Sequence, residues 1–501
     1  MTNETTAPSG WLDRSLRLFA DVRSGEGARV VLLAVNVFLI LTAYYVLKPV
    51  REALILGEGS AELKSYMSAA QVAVLALAVP LYGRLASRLP RRQLINWVTA
   101  FFIACLIIFY VLALLDVPLG IVFFIWIGIF NLMIVAQFWS FANDIYTNDE
   151  GERLFPIVAF GASLGAVLGA TIAGVLIGPF GVYQLLLVGA ALLIVEVQIT
   201  NYIDRKEQSG NGSIDTDVDQ TGTLPAATSQ YRMDTGELKA LTREELERYL
   251  SGEADDEDAG DAGAAGEPEV EPDADEPPST GLGPFALVFR YRYLLLIAIL
   301  MLLLNWVNTT GEYILGSVVE DSADAAVASG AAGGLTVADY IGKFYSDFFA
   351  VVNLAGLLIQ LFLVSRIVKL IGVSGALLVL PIIALGAYTL LAFYPVLAVV
   401  RWAKTAENST DYSLNNTVRN MLFLPTTREQ KYKAKQAIDS FFWRTGDVLS
   451  ALLVFVGTTF LAWQASNFAV FNIGLVVIWL AVAVAIGRRY NVLVREGRPP
   501  A

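Results

Sequence analysis

Residues Arg401 to Pro425 read RWAKTAENSTDYSLNNTVRNMLFLP, a polar stretch set between apolar runs. Taken as one helix, Arg401, Lys404, Asn408, Asp411, Asn415 and Arg419 recur at spacings of three and four and so share a face. Val399, Ala403, Leu414 and Val418 are left for packing. A charge near the centre of a bilayer costs about 2.5–3.5 kcal/mol on insertion scales, so a helix with such a stripe must turn it toward protein or water. The stretch therefore predicts a membrane helix lining a polar cavity. The competing reading is ion pairing inside a bundle, with Lys404 held by Glu407 and Arg419 by a neighbouring carboxylate.

On either side of this stretch the chain is strongly apolar. Of its 501 residues 55% are hydrophobic, and mean hydropathy is +0.57. Apolar windows predict six spans near 29–50, 66–85, 94–115, 119–142, 157–179 and 182–203. Six more are predicted near 291–316, 340–365, 372–393, 395–422, 439–462 and 467–487. The expected fold is all-α and polytopic, with twelve transmembrane helices in two halves, 29–203 and 284–487. A 1–28 segment precedes them, and residues 488–501 form a tail.

Between the halves, residues 204–283 are rich in Asp, Glu, Gly, Ala and Pro and cannot bury enough apolar surface to form a core. Asp204 to Thr280 holds 22 acidic and 6 basic residues, a net of −16 in a chain of −12, so the remainder carries +4. Within this linker Asp234 to Leu250 predicts a short helix with a capping box at Thr242 and Glu245. Arg84, Arg88, Arg91, Arg92, Arg153, Arg366, Lys369, Arg428, Lys431, Lys433 and Lys435 fall in alternate loops, which predicts cytoplasmic termini and linker in an inner membrane. Lys64, read as part of the first outer loop, is the main exception.

The chain has no histidine and a single cysteine, Cys105. Imidazole relays, Ser/His/Asp triads, internal disulfides and Cys/His metal sites are thereby excluded. No Walker motif occurs, so neither an enzyme nor a cofactor is expected. The expected partners are the lipid bilayer and a small anionic substrate, not a nucleic acid.

Other polar groups sit in apolar surroundings. VLKPVRE places Lys48, Arg51 and Glu52 near the end of the first span, where Lys48 and Glu52 are four apart and pair on one face, leaving Arg51 for a ligand. Snorkelling to the interface is the alternative for both cations. NWVNTTGEY places Asn305, Asn308, Thr309 and Glu312 in the seventh span, where Glu312 is the lone carboxylate. The fourth span contributes Asn131, Gln137, Asn143 and Asp144. Asp439, Arg444 and Asp447 open the eleventh and are candidates for a gate between helices, or for ordinary end pairing. Gly161, Gly165 and Gly169 recur every fourth residue, the pattern of close helix packing. A faint internal echo sets Phe160, Gly165, Val167 and Leu168 against Phe441, Gly446, Val448 and Leu449, as in a chain built from two related halves.

VLKPVREALILGE, FWSFANDIYTNDEGERLFPIVAFGA, FYSDFFAVVNLAG and VRNMLFLPTTREQKYKAKQAID together resemble the ATP/ADP antiporter (nucleotide transporter, TLC-type) family and its free-living bacterial relatives. The likeness covers roughly residues 30 to 200 and 285 to 487. It implies a major-facilitator-like secondary transporter, working by alternating access, with spans one, four, seven and ten around the site. It also implies that Arg51, Glu312 and Arg419 stand where the family places a first-span lysine, a seventh-span glutamate and a tenth-span lysine. The family's fourth-span glutamate has no counterpart in FIWIGIFNLM, where Asn131 is the polar residue. The expected site comprises Arg51, Arg419 and Glu312, with Lys48, Asn131, Asn143, Lys404, Asp411 and Asn415 as further lining groups. Two rival expectations remain: a proton-coupled carrier titrating at Glu312 or Asp411, and a non-transporting membrane scaffold that uses the linker.

Overall fold

The computed structural model describes residues 26–86, 89–146, 148–212 and 282–496, with residues 16, 22 and 23. The expected linker beyond 212, with its expected helix at Asp234 to Leu250, lies outside them. The described residues form helices and no strand.

The first half comprises α1 (Gly27–Gly57), α2 (Ala61–Ala86), α3 (Arg91–Leu114), α4 (Gly120–Ile145), α5 (Asn148–Phe180) and α6 (Gln184–Gly212). Residues 202–278 form a separate unit, of which the end of α6 is described. The second half starts with the short α7 (Pro284–Arg290), which leads into α8 (Arg292–Ala328) and α9 (Val337–Phe362). It continues with α10 (Val364–Ala376), α11 (Val379–Phe393), α12 (Leu397–Thr410), α13 (Asn416–Met421), α14 (Lys435–Ala437), α15 (Trp443–Thr459) and α16 (Ala465–Glu496). π-Helical turns at Asp411–Asn415, Gln430–Ala434 and Ile438–Phe442 interrupt this run.

Among the described residues, ten helices are long and apolar enough to cross a membrane, or eleven when α10 and α11, bent by 75°, count as one span. The expected tenth span does not pass as one helix. It is divided into α12 of 14 residues, a π-helical turn and the six-residue α13. The polar stripe and the broken helix coincide.

Close packing depends on the glycines. A Cβ at Gly161 or Gly169 of α5 would lie 2.6 or 2.5 Å from the carbonyl oxygens of Ala34 and Thr42 on α1. Gly446 of α15 meets α8 in the same manner, since a Cβ there would lie 2.7 Å from the backbone nitrogen of Trp306. Thus α5 lies on α1 as α15 lies on α8, and Gly165 and Gly446, paired in the sequence echo, fall in these matching contacts.

Where α1 ends, the halves are stitched together. Ala61 N donates to Glu320 Oε2 at 2.9 Å, Tyr313 OH to Glu62 at 3.1 Å, and Val182 N to Asp339 at 2.9 Å. Glu58 adds a cap within the first half, accepting from Leu119 N and Gly120 N at the start of α4, both at 2.6 Å. At the other end of α1, Arg153 donates to Glu26 at 3.0 Å, and this hydrogen bond holds the Glu26 carboxyl below its usual range.

Candidate functional site

Four helices bring their charged groups to one buried cluster. On α1, Glu52 is 1% exposed and pairs with Arg51, whose Nε donates at 3.0 Å. On α2, Lys64 Nζ lies 2.7 Å from Glu52 Oε2 and 4.0 Å from Glu312 Oε2. Glu312 of α8 accepts from Asn408 Nδ2 at 3.1 Å and lies 3.6 Å from Lys404 Nζ. Lys404 of α12 bonds Glu407 and Asn308, each at 3.0 Å. Glu407 in turn accepts from Tyr388 OH at 3.1 Å. The result is a line of alternating charge, Arg51, Glu52, Lys64, Glu312, Lys404 and Glu407, that crosses from one half to the other.

Burying such groups is tolerable because each charge has an opposite neighbour. Lys48 is the exception. Among the described residues no carboxylate lies within 4 Å of its ammonium, which sits 4.0 Å from the Phe349 ring centre and 5.1 Å from that of Tyr45. Ring faces attract a cation without neutralising it. With Lys48 counted, four cations face three carboxylates, and one positive charge is in excess. The side chains of Arg51 and Glu312 remain 18% and 24% exposed, against 1% for Lys404.

Several expectations are thereby corrected. Glu52 pairs with Arg51 and Lys64, not with Lys48, so the free cation of α1 is Lys48 and Arg51 is bound. Lys64 is not in a loop: α2 begins at Ala61, and Lys64 is 6% exposed. The signal was present in the sequence, since Ser60 caps α2 by accepting from Leu63 N at 3.2 Å, with Glu62 in the first turn. Lys404 does bond Glu407, as the pairing alternative held, while also meeting Glu312. Glu52, Lys64, Asn308, Glu407, Asn408 and Tyr388 are members of the cluster that the expected site set left out.

Arg419 goes elsewhere. Its Nη2 donates to Asn416 Oδ1 at 3.2 Å, and its guanidinium carbon lies 4.9 Å from the Trp443 ring centre. The π-helical turn at Asp411–Asn415 inserts an extra residue and rotates the residues after it by about 100°. The stripe does not converge on one place: Arg401, ahead of the turn, stands over Phe344 at 5.7 Å, Lys404 enters the cluster, and Arg419, about 22 Å further along the run, meets α8 near Met301. Asp411 and Asn415 are buried and bond each other at 2.7 Å. On α4, Asn131 is half-buried and Asn143 exposed.

The expected gate residues lie within the second half. Asp439 is 3.6 Å from Lys435 and Arg444 3.3 Å from Asp447, both pairs within one helical run. Asp447 alone bridges between helices, accepting from Asn305 at 2.8 Å and Thr309 at 2.9 Å on α8. A separate polar knot in the first half joins Asn36 to Glu196 at 2.9 Å and to Thr200 at 2.7 Å.

A sequence model of the Major Facilitator Superfamily matches residues 31–424, and one described as the TLC ATP/ADP transporter matches residues 388–490. No match was found among curated proteins. Among solved structures, the nucleoside transporter NupG superposes with a TM-score of 0.56 at 12% identity, over 93% of this chain and 99% of its own. A POT family transporter in complex with 5-aminolevulinic acid gives 0.54 at 13%, over 94% and 96%. An inward-facing bacterial homolog of the human lysosomal transporter Spinster gives 0.51 at 12%, over 94% and 97%. At such identities the likeness concerns the fold. With the match spanning most of its length, the chain belongs to the Major Facilitator Superfamily of membrane transporters.

Proposed function

We propose that the protein is a secondary transporter that exchanges anionic, nucleotide-like substrates of the ATP/ADP type by alternating access. The observation that carries this reading is Lys48, which among the described residues of the cluster has no carboxylate within 4 Å, beside a charge line shared by both halves. An incoming phosphate would be attracted by that excess, with the partly exposed Arg51 beside it. The ion pairs from Glu52 through Lys64 and Glu312 to Lys404 join α1 and α2 to α8 and α12, so rocking of the halves must break or remake them. The TLC match over residues 388–490 supports a nucleotide among anionic cargoes.

The basic loops favour cytoplasmic termini in an inner membrane. In that orientation the stitched end of the bundle is the outer gate. Asn131 and Asn143 on α4 then line the inward path, and Arg419 lies nearer the cytoplasm than Lys404.

Exchange of labelled nucleotide in proteoliposomes tests the reading. Lys48→Ala and Arg51→Ala should each abolish exchange with insertion unchanged. Wild-type rates in both variants would remove these residues from the mechanism. Proton coupling at Glu312 is the second reading, favoured by its 24% exposure and its looser contacts at 3.6 and 4.0 Å. Uptake driven by a pH gradient with no counter-substrate would establish it instead.

A further inference from the structure

Seven to eleven residues before Asn308 and Glu312 on α8, Met301 borders an open cavity of about 270 Å³ lined by α8, α13, α14 and the start of α15. At a rise of about 1.5 Å per residue it lies about 10–16 Å along the bundle from the central cluster. Three cations line it: Arg419, Lys435 and Arg444. Lys435 is 3.6 Å from Asp439, and Arg444 is 3.3 Å from Asp447. Arg419 has no carboxylate within 4 Å among the described residues. Its Nε is buried without a hydrogen-bond partner, and Nη1 finds only the Met301 sulfur at 3.9 Å. Trp443 and Asn416 hold the guanidinium in place.

We infer that this cavity is a second anion station, which takes the phosphate end of a substrate on its way to or from the central cluster. A fixed, unneutralised guanidinium presents its fork to a phosphate group, a geometry a lone ammonium lacks. Arg444 links the station to the transport path. Its partner Asp447 also holds Asn305 and Thr309, within a helical turn of Asn308. An anion that draws Arg444 away from Asp447 therefore loosens α8 beside the cluster. Passage of substrate through the station rests on the anionic-substrate reading; the anion binding itself does not.

Trp443 is the reporter. The full chain in detergent is titrated with pyrophosphate while tryptophan emission is recorded, and Trp443→Phe identifies that ring's share among the nine tryptophans. The expected result is a saturable change that vanishes in Trp443→Phe, weakens at least about tenfold in Arg419→Gln, and is intermediate in Arg419→Lys. Lys48→Gln, which disables the central cluster, should leave this signal in place, so failure of the transport reading would be seen separately. Equal affinity in Arg419→Gln and wild type overturns the station, as does a signal that survives Trp443→Phe. A response to phosphatidylglycerol but none to pyrophosphate would make the cavity a lipid headgroup site and overturn it equally.

Discussion

Glu52 balances two cations at once, Arg51 and Lys64, while almost wholly buried. Removing its charge leaves both without their closest partner, a loss of about 3–5 kcal/mol for a broken buried pair. Glu52→Gln should therefore lower the melting temperature in detergent and, by raising the cationic excess, tighten nucleotide binding. An unchanged melting temperature with unchanged affinity would contradict the pairing. The charged residues themselves were legible in the sequence, because the cost of burying them singles them out. Their pairing was not, since the partners of Glu52 and Glu312 come partly from other helices. Lys64 was misplaced because the charge rule for loops was applied to a residue already inside α2.

Among elements, the contacts of α5 with α1 and of α15 with α8 depend on glycines that leave no room for a side chain. Gly165→Val and Gly446→Val should each destabilise the protein by about 1–3 kcal/mol through overpacking, read as lower thermal melts. Gly83→Val and Gly386→Val, where a Cβ would meet nothing within 4 Å, serve as controls and should melt close to wild type. Equal melts across all four would remove the packing argument. Close packing at α5 was readable from the four-residue glycine spacing; its partner α1, and the contact of α15 with α8, were not, because spacing names no partner helix. The π-helical turns were not readable, because nothing in DYSLN distinguishes a π turn from an α turn. Arg419 stands apart from Lys404 because fifteen residues, about 22 Å of helix rise, separate them.

For the molecule as a whole, the proposed transport belongs to the two halves and none of it to the acidic linker. Replacing residues 213–278 with a neutral Gly/Ser chain of equal length should leave nucleotide exchange near wild type, since such a chain imposes no structure. Loss of exchange with normal insertion would favour the scaffold reading. The division into two helical halves was plain from hydropathy. The broken tenth span was not, because polar residues at helical spacing imitate a continuous helix.

The proposed transport stands on one positive charge in excess where the halves meet, and equilibrium binding of labelled nucleotide reads that charge without any contribution from turnover. Lys48→Gln makes the cluster neutral and should weaken binding at least about tenfold. Adding Glu407→Gln to the same chain restores the excess and should recover much of the affinity. Binding by Lys48→Gln at wild-type strength would show that the excess charge holds no substrate.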